Sequence, residues 1–146
     1  MTDDSTDLAD WEINPGDVWA DRRAVGPWET FVLLELGQNT VALGSWQGFF
    51  SAEGNGGGPV HANRQKIAEW ETHEIVHNPN GTTSFAHNGW FLTAEDGGGD
   101  GSVCNWNRRA IGDWEQFWLE VDRNNGTIAL RTYVEGTYVS VQEGVG

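Results

Sequence analysis

Gly26-Pro27-Trp28-Glu29-Thr30-Phe31, Ala68-Glu69-Trp70-Glu71-Thr72-His73 and Gly112-Asp113-Trp114-Glu115-Gln116-Phe117 are one hexapeptide pattern written three times, with its tryptophans 42 and 44 residues apart. A second match lies upstream of each: Trp19-Ala20-Asp21-Arg22, His61-Ala62-Asn63-Arg64 and Asn105-Trp106-Asn107-Arg108. A third lies between them: Phe49-Phe50-Ser51-Ala52-Glu53, Phe91-Leu92-Thr93-Ala94-Glu95 and Tyr138-Val139-Ser140-Val141-Gln142. Glycine-rich links at 54–58 and 97–101 follow the first two. Three motifs in the same order, three times over, make the chain an internal repeat.

Inside each unit the pattern is that of strands. Phe31-Val32-Leu33-Leu34 and Phe117-Trp118-Leu119-Glu120-Val121 are short β-branched or aromatic runs. Asn78-Pro79-Asn80-Gly81 and Asn124-Asn125-Gly126 supply turns with positive φ. Thr40-Val41-Ala42-Leu43, Thr82-Thr83-Ser84-Phe85 and Thr127-Ile128-Ala129-Leu130 resume the strand pattern. No window carries a stripe of 3.6-residue period.

Three units of about 42 residues with four strands each predict an all-β β-trefoil, since three blades fall below the usual range for a propeller. The repeats run over about 23–64, 65–108 and 109–146, and the last lacks a fourth strand. Its counterpart lies at the N-terminus, so residues 16–22 are expected to complete the third unit beside 137–142 and close the barrel. A strand-swapped dimer is the alternative. Residues 11–146 form one domain in this reading, and 1–10 a disordered acidic lead.

A chain of 146 residues buries roughly 68–70% of its unfolded surface, enough for a core without staples. The lone Cys104 excludes an internal disulfide and a multi-cysteine zinc site. A net charge of −14 argues against nucleic acid and anionic membranes as partners, and no apolar run reaches the length of a membrane span. The N-terminus reads as no secretory signal, which leaves the compartment open between the cytoplasm and an extracellular domain cut from a larger protein. Nine tryptophans exceed what such a core needs. One lysine beside seven arginines fits either a GC-rich genome or a salt-adapted proteome.

The Gly-x-Trp-Glu-x-Phe element, the glycine-rich loop before His61-Ala62-Asn63-Arg64 and the Phe-Phe-Ser-Ala-Glu strand resemble the fascin-like β-trefoil superfamily over nearly all of residues 16–146. Its bacterial members are similar to the trefoil carbohydrate-binding modules of family 92. The resemblance implies non-catalytic binding of β-1,3- or β-1,6-glucans at up to three Trp/Glu sites, by a monomer that needs no cofactor or metal. Animal fascins, more distantly similar, imply the alternative of a protein-interaction module, actin-binding or scaffolding. The pattern departs from itself at His73, which replaces Phe31 and Phe117, and at Trp106, which replaces Ala20 and Ala62.

The expected ligand-binding residues are Trp28, Glu29, Trp70, Glu71, Trp114, Glu115, Trp46 and Trp90. Alternation back from Phe31 and Leu33 turns Glu29 inward and leaves Trp28 on the other face. A tryptophan ring suits the C–H face of a pyranose, and a carboxylate accepts two sugar hydroxyls. The competing role of the tryptophans is to plug the barrel base. That of the glutamates is to receive N–H groups of the preceding loop or to pair with Arg22, Arg64 and Arg108. Trp46 and Trp90, beside turns, offer a second stacking surface or pack over the neighbouring hairpin, and Tyr133 is their counterpart in the third unit. Trp11, Trp19 and Trp118 are assigned to packing.

His73-Glu74-Ile75-Val76-His77 is a literal H-E-x-x-H, a zinc-binding pattern when it lies on a helix. The repeat aligns it with two strands, so the metalloprotease reading is set aside. No nucleophile motif or phosphate-binding loop accompanies it. A paired-carboxylate glycosidase would need carboxylates ~5–9 Å apart around a bound ring, for which a small trefoil has no deep cleft. The chain is read as a non-enzyme.

Overall fold

A computed structural model describes residues 17–142. The expected acidic lead and Trp11 lie outside the described residues. The described chain is all-β, with twelve strands in one antiparallel sheet. These are β1 (Val18–Arg22), β2 (Val32–Gly37), β3 (Thr40–Gly44), β4 (Phe49–Ala52), β5 (Val60–Arg64) and β6 (His73–His77). They continue as β7 (Thr83–His87), β8 (Trp90–Ala94), β9 (Cys104–Arg108), β10 (Phe117–Asp122), β11 (Thr127–Thr132) and β12 (Tyr138–Val141).

The strands pair as hairpins. β2–β3, β6–β7 and β10–β11 are joined by short turns, in which Asn39, Gly81 and Gly126 take φ of 58°, 93° and 69°. β3 pairs β6, and β7 pairs β10. At the foot of β2, Phe31 exchanges two backbone hydrogen bonds with Ile128 of β11, at 2.9 and 2.8 Å. The pairing therefore returns from the last of these hairpins to the first.

The second set consists of β4–β5, β8–β9 and β12–β1. The pairing expected between the N-terminal segment and 137–142 is present within the chain, with Val18 opposite Val141 and Trp19 opposite Ser140. β1, β5 and β9 also meet one another, through the bridges Asp17–His61, Trp19–Val103 and Pro59–Asn105.

The core is built from one face of each hairpin. Phe31, Phe50, Phe85, Phe117, Leu43, Leu92 and Leu130 are fully buried in it. Ala20, Ala62 and Trp106 hold the same place, third in β1, β5 and β9. Two alanines and one indole thus occupy three matching positions where those strands converge. Trp106 is fully buried and stacks on His73 with ring centroids 4.6 Å apart and planes at 24°. The large ring of the third unit packs over the residue with which the second unit replaces phenylalanine. Its indole N–H has no hydrogen-bond partner, so the ring is held by packing alone.

The extended course of β6 through His73–His77 keeps the two histidines of the H-E-x-x-H off a common helical face, and His73 is buried while His77 is exposed. Replacing Trp106 with alanine should cost about 3–5 kcal/mol by emptying the space above His73. A fall in the urea midpoint checks this, and an unchanged midpoint would show that the sheet collapses into the gap.

Candidate functional site

Each repeated Trp-Glu lies on a single turn of 3₁₀ helix, at Pro27–Glu29, Glu69–Glu71 and Asp113–Glu115. Strand alternation therefore does not extend back past Phe31, as the sequence reading assumed. In a turn of three residues, neighbouring side chains diverge by about 120°. Glu29, Glu71 and Glu115 point inward and are 6%, 4% and 4% exposed. Their Oε1 atoms accept the backbone N–H of Gly26, Ala68 and Gly112 at 2.7, 2.9 and 2.7 Å. Glu29 also accepts the hydroxyl of Ser140 at 2.7 Å.

The carboxylates expected to meet a ligand are thus used to hold the turn. The competing role named from the sequence, reception of the preceding loop's N–H, is the one the geometry displays. The turns themselves pack on β12, β4 and β8 respectively.

The tryptophan before each glutamate faces outward. Trp70 is 38% exposed, while Trp28 and Trp114 are half-buried. Trp70 walls a shallow cleft of about 520 Å³ with Arg64, Gln65, Lys66, Ala68 and Glu69. The matching stretch of the first unit forms a cleft of about 480 Å³, lined by Arg22, Arg23, Ala24, Val25, Pro27 and Trp28. In two units an arginine lies over the ring: Arg22 Cζ is 5.7 Å from the Trp28 centroid, and Arg108 Cζ is 5.7 Å from that of Trp114. Arg64 is drawn instead to Glu53 at 2.5 Å, with Glu71 3.8 Å away. In the third unit Arg108 also meets Glu95, at 3.1 Å.

The remaining aromatics divide. Trp46, 45% exposed, lies parallel to Trp28 with centroids 5.9 Å apart and planes at 9°. Its N–H donates to the Val141 carbonyl at 2.7 Å, which fixes the ring. The two indoles therefore stack on each other in the first unit, each covering part of one face of the other. Trp90 takes the packing role. Its ring lies so close over Gly56 that a Cβ there would meet it at 2.4 Å, and Arg109 Cζ sits 3.5 Å from its centroid.

Trp118 packs against a second aromatic ring. It stands half-buried beside Tyr133, which is 39% exposed, with centroids 6.0 Å apart. Tyr133 enters as a partner of Trp118, a pairing that sequence alone did not indicate because it joins β10 to the turn that follows β11.

Burial, with Glu95 and Asp21 adding, pushes the Cys104 thiol well above its ordinary range, so it stays protonated at neutral pH. Among the described residues no group of three or more His, Cys, Asp or Glu side chains is placed to hold a metal ion. No described helix is long and apolar enough to cross a membrane. Neither a protein-family model nor a curated protein matches the chain.

Alanine at Glu71 or Glu115 should strand one N–H and cost about 1–2 kcal/mol each in chemical denaturation. Glu29→Ala should cost more, because Ser140 loses its acceptor too. Equal costs at all three would show that the Ser140 contact contributes nothing.

Proposed function

We propose that the chain is a β-trefoil and a non-catalytic carbohydrate-binding module, directed at a β-glucan-type polysaccharide. The trefoil reading is supported by pairing that runs from β2 through β3, β6, β7, β10 and β11 and back to Phe31, which describes a six-stranded barrel. It is supported equally by the mutual bridges of β1, β5 and β9, which describe a triangular cap.

The observation that carries the binding reading is the Trp70 ring: outward-facing, 38% exposed, at the wall of an open cleft, with its arginine drawn aside to Glu53. An exposed indole in a shallow cleft presents the flat apolar surface that a pyranose face needs. Arg64, Gln65, Lys66 and Glu69 supply hydroxyl partners at the rim. Trp46, exposed and stacked on Trp28, offers a second platform, and Trp114 a third beside Arg108. Glu29, Glu71 and Glu115 act here by aiming the rings, and Trp90 by supporting the sheet.

One shallow site of this kind should bind with Kd near millimolar, about −4 kcal/mol. Sites on one rigid body gain up to ~10²–10⁴ on a polymer through effective concentration. The small, open clefts suit binding rather than bond cleavage.

One observation favours a second reading, a fascin-like protein-interaction module. Val32, Leu34 and Leu36 form an outward apolar row on β2, 42%, 37% and 44% exposed. The other units place Glu74, Val76 and Asn78, or Trp118, Glu120 and Asp122, at the matching positions. Such a row fits a protein surface better than a sugar.

Affinity electrophoresis against soluble β-1,3- and β-1,6-glucans separates the two readings. Retardation is expected for the native chain. Trp70→Ala should remove most of it, Trp28→Ala and Trp114→Ala less, with thermal midpoints little changed. Full retardation of the triple variant would overturn the glucan reading. Retardation of no variant, the native chain included, would move the function to the apolar row.

A further inference from the structure

Under the Trp70 cleft lies a buried polar pair that the first and third units lack. His73, 1% exposed, stands where they carry Phe31 and Phe117, and His87, 5% exposed, faces it from β7. The two Nδ1 atoms are 3.2 Å apart. His73 Nε2 lies 2.9 Å from the Phe50 carbonyl and must donate to it, so His73 Nδ1 is left as an acceptor. His87 Nδ1 also lies 3.0 Å from the Thr72 carbonyl. It therefore carries the hydrogen, shared between the Thr72 oxygen and His73. His87 Nε2 lies 2.7 Å from Asn55 Oδ1, an acceptor, so a neutral His87 that keeps its hydrogen on Nδ1 needs that amide turned to present its NH2. With the amide turned, every ring nitrogen is satisfied with both rings neutral, and His73 has no acceptor for a second N–H.

Thr72 closes the turn Glu69–Glu71, its own N–H bonding the Glu69 carbonyl at 3.3 Å. The imidazole that faces His73 thus also holds the turn that presents Trp70. A cleft of about 470 Å³, lined by Asn55, Glu69, Thr72, Glu74, Asn88 and the two histidines, opens the pair toward solvent.

We propose that the His73–His87 pair is an acid-sensitive latch on the Trp70 cleft: a proton on His73 sets two N–H groups against each other, breaks the hold on the Thr72 carbonyl and loosens the turn. A second N–H on His87 would meet the Asn55 oxygen, whereas one on His73 Nδ1 meets only the N–H of His87. The consequence for ligand binding rests on the carbohydrate reading of that cleft, whereas the latch itself does not.

The charged groups around the pair are few. Glu69 and Glu74 line the cleft and are exposed to water. Glu71 is turned to the Ala68 N–H, and Glu53 to Arg64. Arg109 lies on the Trp90 ring, and Arg108 meets Glu95. β3, β4 and β8 bring no ionisable side chain. Burial outweighs all of these at His73 and lowers its pKa from 6.5 to about 4, with His87 adding to the effect. Between those values the unfolded chain holds a proton that the folded one refuses. The stabilisation is therefore complete above pH 6.5 and is lost as pH falls toward 4.

The repeat supplies its own controls. Amide exchange at Glu71 and Thr72, corrected for the intrinsic rate, should lose protection on the order of tenfold between pH 7 and pH 5. Glu29 and Thr30, and Glu115, should keep theirs, since Phe31 and Phe117 stand in place of the histidine. His73→Phe should make the second turn behave like the other two and remove roughly 5 °C of acid-induced fall in Tm. Should that variant not fold, the ring resonances of native His73 decide: no titration above pH 5 supports the latch. Titration near pH 6.5, or equal loss of protection in all three turns, overturns it. Glucan retention at pH 7 reports on the binding reading alone, and protection of the turn on the latch alone.

Discussion

Three carboxylates turned inward govern the surface of this protein. Glu29, Glu71 and Glu115, themselves buried, each satisfy the N–H that opens a one-turn 3₁₀ helix. An unpaired N–H there would be costly, so the glutamate is bound to its inward position. With the glutamate inside, the tryptophan one residue earlier must point away from the core. The exposed indoles and the clefts beside them follow from a hydrogen bond the surface does not display. The motif that reads as one binding unit in sequence is two parts in space, a buried cap and the platform it aims.

The three units repeat this arrangement but do not copy it. Arg22 and Arg108 lie over their rings, Arg64 pairs with Glu53, and Trp70 is the most exposed of the three repeated indoles. Trp28 is doubled by Trp46, which a bond to Val141 holds parallel. In the core, Trp106 fills the space that Ala20 and Ala62 leave open, and stacks on the one unit that carries histidine in place of phenylalanine. The larger ring on β9 and the polar ring on β6 are a matched pair across units. Their coupling places the two buried histidines against the turn that carries Trp70.

Much of this was legible in the chain. Strand positions followed from the repeated apolar runs and the Asn-Gly turns, because a short hairpin needs residues that accept positive φ at its tip. Pairing of the N-terminal strand with 137–142 followed from counting strands per unit. The outward tryptophans were legible as candidates, but through an argument from strand alternation that the 3₁₀ turns replace. The fate of Trp90 was not legible, since Gly56, Gly57 and Arg109, which enclose it, come from other strands and loops. Nor was the pairing of Trp118 with Tyr133, which depends on the register of β10 against β11.

The sequence by itself determined the strand count, the order of the hairpins and the threefold recurrence of Trp-Glu, because these depend on local period, turn chemistry and repetition. Only the tertiary structure decided which of those side chains remain free. Which rings stay open depends on what distant parts of the chain bring against them, as Gly56 and Arg109 cover Trp90 and the Val141 carbonyl fixes Trp46. Such contacts join residues tens of positions apart, as Trp46 to Val141 and His73 to Trp106 do here, and no local pattern encodes them.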